Sequence, residues 1–149
     1  MKKLFDQLKG RKTKLGVVGL GYVGLPLAHA FAPHFDVVGF DVNEAKVELM
    51  KQGIDPTGEV PAGGLKEVKI DFTTNPEKLS ECRFIVVAVP TPVDRNKRPD
   101  LTPLVLSSTT VGKYMPKNSI IVYESTVYPG VTEDECVPLL EKNSGFEYL

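Results

Sequence analysis

Residues 14–41 read Lys-Leu-Gly-Val-Val-Gly-Leu-Gly-Tyr-Val-Gly-Leu-Pro-Leu-Ala-His-Ala-Phe-Ala-Pro-His-Phe-Asp-Val-Val-Gly-Phe-Asp, and this stretch decides the fold. Lys14-Leu15-Gly16-Val17-Val18 is a short β-rich run ending at glycines, and Asp36-Val37-Val38-Gly39-Phe40-Asp41 is a second of the same kind. Both have the nearly continuous apolar character of parallel strands buried on two faces. Between them, Val23, Leu27, Ala30 and Phe31 recur at helical spacing from Tyr22 to Ala32, with Pro26 early enough to be tolerated. The stretch predicts strand, helix, strand, with Gly19, Gly21 and Gly24 at the first junction.

A glycine run of this spacing is weak evidence alone and gains force from its place after a strand and at the start of a helix. Gly19 allows the tight turn, Gly21 lets backbone approach a pyrophosphate without a Cβ in the way, and Gly24 permits close packing of helix on strand. The helix start then offers phosphates its free N–H groups and the positive end of its dipole. Asp41, closing the next strand, is placed to accept hydrogen bonds from an adenosine ribose, and its charge opposes the additional phosphate of NADP. NAD is the expected cofactor. Lys46, five residues later, reaches toward the same side and softens the exclusion of NADP. FAD and S-adenosylmethionine sites share part of the pattern, as does a ligand-free glycine turn with a capping aspartate.

The alternation continues. Asn43 caps a helix through Met50, Lys66–Phe72 reads as a strand, Asn75–Ser80 as a short helix, and Phe84–Val89 as the most strand-like segment of all. A proline-rich loop from Pro90 to Pro103 leads into a helix ending near Tyr114, and Ser119–Tyr123 is another strand. From Thr132 a helical stretch runs into Pro138, which interrupts or kinks it. Gln52–Gly64, rich in Gly and Pro, reads as a surface loop. These elements predict an α/β fold: a Rossmann-type doubly wound parallel sheet of about six strands, with helices on both faces and ligands at the carboxyl ends of the strands. Residues 1–13 read as an N-terminal lead-in and 14–149 as the NAD-binding domain.

Bulk properties exclude other classes. Eighteen basic and nineteen acidic residues give a net charge of -1, so nothing electrostatic favours nucleic acid or an anionic membrane as partner. No apolar run approaches the ~18 residues of a membrane span. Met1-Lys2-Lys3 is followed by a segment too charged for a signal-peptide core, and Cys82 and Cys136 lack the spacing of a disulfide framework or a zinc site. Reduced thiols, a cytoplasmic location and no bound metal are expected. His29 and His34, flanking the first helix's end, suit its dipole without a further role.

The strings GLGYVGLPLA, VGFDVN, VAVPTPVD, PDLTPL and YESTVYPGVTEDECVP together resemble the UDP-glucose/GDP-mannose dehydrogenase family over residues 14–145. The last of them is most similar to the bacterial UDP-N-acetylhexosamine 6-dehydrogenases that make uronic acids for surface polysaccharides. The resemblance implies a two-step oxidation of a sugar C6 alcohol to a carboxylate with two NAD, acting on a UDP-sugar. It implies that Tyr22 and Val23 contact the cofactor phosphates, that Asp41 and Lys46 sit at the adenosine ribose, and that Thr91 contacts NAD. Thr126 matches the residue near the nicotinamide that helps hold a catalytic water. For both threonines a turn-stabilising hydroxyl is the simpler alternative, and Glu124 reads as structural. The family's nucleophilic cysteine lies in a motif absent from this chain, so Cys82 and Cys136 are expected to be packing or surface residues. The aromatic-apolar end, Phe146 to Leu149, looks like the beginning of a further strand. The expected whole is a longer enzyme, a homodimer or larger, of which this part binds NAD and turns over little; a stand-alone NAD(H)-binding regulatory module is the alternative.

Overall fold

Five parallel strands form one sheet in the order β3-β2-β1-β4-β5 in a computed structural model describing residues 1–149. They are β1 Lys14–Val18, β2 Val37–Phe40, β3 Ile70–Thr73, β4 Cys82–Val87 and β5 Ile120–Tyr123, and five helices flank them: α1 Lys2–Lys9, α2 Gly24–Phe31, α3 Glu44–Lys51, α4 Thr102–Tyr114 and α5 Val137–Ser144. Successive strand residues point to opposite faces, and the core divides accordingly. Leu15 and Val17 join Leu4 and Leu8 of α1, Leu25 and Ala28 of α2, and Val47 and Met50 of α3 on one face. Val18, Val38, Ile85 and Val87 join Leu104 and Val111 of α4 and Leu140 of α5 on the other. That is the doubly wound α/β arrangement expected from the alternating pattern.

Strand order reverses between β1 and β4. The chain runs β1, β2, β3 outward in one direction, then returns to place β4 on the other side of β1. The loops after β1 and β4 therefore diverge, and the crevice they leave is where such sheets take ligands.

Local differences from the sequence reading have identifiable causes. About six strands were expected and five are paired. Phe146 to Leu149 do not extend; beyond Gly145, whose φ of 75° ends α5, the Phe146 amide donates to Ser144 Oγ (3.0 Å) and the Tyr148 amide to Glu141 Oε1 (2.8 Å). β3 begins at Ile70 rather than Lys66 because Leu65 is buried and Val68 half-buried. That spacing of three matches the 3-10 turn over Gly64–Lys66 and not the two-residue period of a strand. Pro138 does interrupt the last helical stretch: it has no N–H to continue an α-turn, and a wider π-helical turn, Thr132–Cys136, precedes α5.

The N-terminal segment is a helix docked at the amino ends of the strands. Its Phe5 ring lies 6.3 Å from Phe35, and Arg83 Nη1 donates to Gln7 Oε1 at 2.8 Å. The loop 52–64 is organised by Asp55, whose carboxylate accepts from the Thr57 and Val60 amides and the Thr57 hydroxyl. Burial pushes the Asp55 carboxyl up, but these hydrogen bonds together hold it below its ordinary value. No helix is long and apolar enough to cross a membrane.

Candidate functional site

β1 ends at Val18, and its ladder carries on into the loop through the Gly19 amide, which donates to Phe40 O at 2.9 Å. Gly19 then turns with φ of 93°, a conformation that side chains disfavour, and an added Cβ there would lie 3.0 Å from the Ala88–Val89 backbone. The turn brings α2 back so closely that a Cβ on Gly24 would stand 1.6 Å from the Gly19 carbonyl oxygen. Gly21 is different: its Cβ would meet nothing within 4 Å. Two of the three glycines are thus required by the protein itself, and the third keeps open space outside it.

That space faces unsatisfied donors. The amides of Gly21, Tyr22 and Val23 have no partner within the chain, while Leu25 N–H already donates to Gly21 O (3.2 Å) and Leu27 N–H to Val23 O (3.2 Å). An exposed row of N–H groups at a helix start is an anion cradle. Tyr22 and Val23 are themselves exposed beside it.

Asp41 stands at the end of β2 and reaches back to this loop. Its Oδ2 accepts from the Leu20 amide and its Oδ1 from the Asn43 amide, both at 2.9 Å. Each carboxylate oxygen has a second lone pair for a ribose hydroxyl. Asn43 in turn caps α3 by accepting from the Lys46 amide at 3.1 Å, which fixes Lys46 in the first helical turn, half-buried and without an ion pair.

On the other side of the reversal, the loops after β4 and β5 carry Thr91 and Thr126. The structure brings these two together: Thr91 Oγ1 donates to Thr126 O at 2.7 Å. Ser125 Oγ donates to Val89 O, also at 2.7 Å. Ser125 was not among the residues singled out from sequence; its only signal was a hydroxyl just beyond a strand end. Glu124 is exposed, and its amide merely continues the ladder to Val87 O at 2.9 Å. The proline-rich segment between these parts forms a small hairpin, in which Val93 bridges Pro99 and Asp94 Oδ1 accepts from the Asn96 and Arg98 amides.

Both cysteines are buried, and burial pushes their thiols up, that of Cys82 to about 12. They remain protonated thiols at neutral pH, not nucleophiles. No cluster of His, Cys, Asp and Glu suited to a metal is present.

Known proteins place this arrangement. The family model described as the NAD binding domain of the UDP-glucose/GDP-mannose dehydrogenase family matches residues 13–148. The chain is 54% identical over 139 residues to UDP-N-acetyl-D-glucosamine 6-dehydrogenase of Pseudomonas aeruginosa, covering 93% of this chain and 33% of that protein. It is 48% identical over 138 residues to the enzyme of the same name from Salmonella typhi, covering 92% and 32%. The crystal structure of NDP-N-acetyl-D-galactosaminuronic acid dehydrogenase from Methanosarcina mazei superposes with a TM-score of 0.82 at 35% identity, covering 99% of this chain and 35% of that one. The chain thus spans about a third of the length of these relatives. Its glycine loop, its acidic strand end and its paired threonines are accordingly those of a member of the UDP-glucose/GDP-mannose dehydrogenase family, whose NAD-binding domain this chain is.

Proposed function

We propose that this chain holds NAD for a nucleotide-sugar 6-dehydrogenase that oxidises the C6 alcohol of a UDP-N-acetylhexosamine, or of UDP-glucose, to a carboxylate with two NAD. The observation that carries the reading is the reversal of strand order between β1 and β4, with unpartnered amides on one side and paired threonine loops on the other. High identity to two UDP-N-acetyl-D-glucosamine 6-dehydrogenases supports the choice of sugar class.

In this reading Gly19, Gly21 and Gly24 shape the pyrophosphate cradle, and the amides of Tyr22 and Val23 donate to it. Asp41 accepts from the adenosine ribose, with Lys46 beside it. Thr91 and Thr126 border the nicotinamide end, where Thr126 helps hold the catalytic water. The cofactor, when bound, accepts two electrons and a proton from the carbon being oxidised. Everything this chain contributes is orientation: it fixes where that acceptor lies, which matters because the reaction needs both partners held in one geometry. Residues 14–149 form the NAD-binding unit and 1–13 its lead-in. The sugar site is completed by residues of a longer cytoplasmic protein that is a homodimer or larger.

The test is NADH formation by the full-length protein with UDP-N-acetylglucosamine, UDP-N-acetylgalactosamine, UDP-glucose and GDP-mannose. Turnover on a UDP-sugar is the expected result. NAD binding with no turnover on any of the four would instead favour a regulatory NAD(H)-binding module.

A further inference from the structure

Resting on that reading, we propose that Ser125 and Thr91 form a reciprocal buckle that sets the nicotinamide half of the crevice, with Ser125 as a positioning residue. Past the ladder bond from Glu124 to Val87, the chain leaving β4 runs Ala88-Val89-Pro90-Thr91-Pro92. Val89 and Thr91 follow Val87 on the side that faces β5, and neither amide has a partner within the chain. Backbone pairing therefore lapses as the two segments leave the sheet, and adjacent loops there are free to separate. Side-chain hydroxyls take over. Ser125 reaches from the β5 side to the Val89 carbonyl, and Thr91 reaches from the β4 side to the Thr126 carbonyl, each at 2.7 Å across 36 and 35 residues of sequence. Each segment supplies one hydroxyl and one carbonyl, so neither can shift without breaking both bonds.

The buckle is also tied to the phosphate cradle. A Cβ on Gly19 would lie 3.0 Å from the Ala88 carbonyl and the Val89 amide nitrogen, and the φ of 93° there disfavours a side chain as well. Val89 thus touches the glycine turn through its amide and Ser125 through its carbonyl, which makes one continuous frame from cradle to Thr126. Two chemical consequences follow. The only hydroxyl proton of Thr91 is committed to Thr126 O, so Thr91 meets a cofactor as an acceptor. The Thr126 hydroxyl takes no part in the buckle and stays available on an exposed residue whose backbone is held.

A dinucleotide lies across such a crevice with one mononucleotide on each side of the reversal. Asp41 and the glycine loop serve the adenosine side, and the buckle stands on the other, so losing Ser125 should affect NAD and spare ADP. The experiment is calorimetric titration of this chain with NAD and, separately, with ADP. Ser125→Ala is expected to weaken NAD by roughly 3- to 10-fold, the worth of one hydrogen bond, with ADP unchanged and Ser125→Thr restoring the affinity. Should Ser125→Ala fail to fold, Ser125→Cys, which keeps the size and exchanges the hydroxyl for a much weaker donor, should show the same selectivity. Leu8→Ala, in α1 at the far end of the strands, controls for plain destabilisation by lowering the melting temperature without changing either affinity. Equal losses for NAD and ADP, or no loss for NAD, overturn the buckle while leaving the cofactor assignment standing. Failure of the unaltered chain to bind NAD overturns both.

Discussion

Gly21 and Gly24 lie three residues apart in one motif, yet they answer to different masters. At Gly24 an added methyl would meet the Gly19 carbonyl at 1.6 Å, inside any possible contact, so Gly24→Ala must open the turn. It should cost about 3 kcal/mol, as severe overpacking does, seen as a lower urea midpoint. Gly21→Ala places its methyl in open space and should leave the midpoint nearly unchanged while reducing NAD affinity, because the methyl occupies the path of the pyrophosphate. An equal loss of stability in both variants would contradict this division. Asp41 combines the two roles. Asp41→Ala should weaken NAD and narrow its preference over NADP in calorimetry, and it should also loosen the loop, because the Leu20 and Asn43 amides lose their acceptor. Unchanged affinity for both cofactors would remove Asp41 from the site. At this scale Gly19 and Gly24 were legible because the turn they make leaves no room for a Cβ at that spacing, and Asp41 because it closes the strand beside that turn. Ser125 was not, since hydroxyls after strands are common and its partner Val89 is chosen only by the way β4 and β5 lie together.

Secondary structure was read correctly where hydrophobic period and flanking turn residues agreed, as in β1, β2 and α3. It shifted at β3, where the buried Leu65 on a 3-10 turn and the half-buried Val68 just beyond it mimic a strand in a simple apolar tally. β4 is sensitive to pH at its start. Burial there pushes the Cys82 thiol up to about 12, Glu81 and Asp71 adding to the effect and Lys14 opposing it. A thiol whose folded value is raised stabilises the fold fully below its unfolded titration and loses that contribution as pH climbs toward the folded value. Melting temperature should therefore fall as pH rises above about 9, where an unfolded-chain thiol ionises, and Cys82→Ala should flatten that fall. Thiol-reactive reagents at pH 8 should modify neither Cys82 nor Cys136 until denaturant is added. Rapid labelling of the native chain would place one of them at the surface.

For the molecule as a whole, the doubly wound order followed from alternating strands and helices around a glycine turn, and the two core clusters realise it on opposite faces. What alternation could not supply was the treatment of the sheet's two outer edges, because edge character depends on which strand happens to be last. β3 has charged residues at its border: Lys69 immediately precedes it, and Asp71 within it pairs with Lys78 at 3.5 Å. β5 reads Ile120-Ile121-Val122-Tyr123, pairs only with β4, and carries no charge. Unpaired backbone beside uncharged, β-prone side chains is a template for another strand. The colloidal behaviour of this chain in isolation follows from that edge. At high concentration it should self-associate reversibly, with sedimentation showing species larger than a monomer, and Val122→Lys should return it to monomer by placing a charge where a second strand would have to pair.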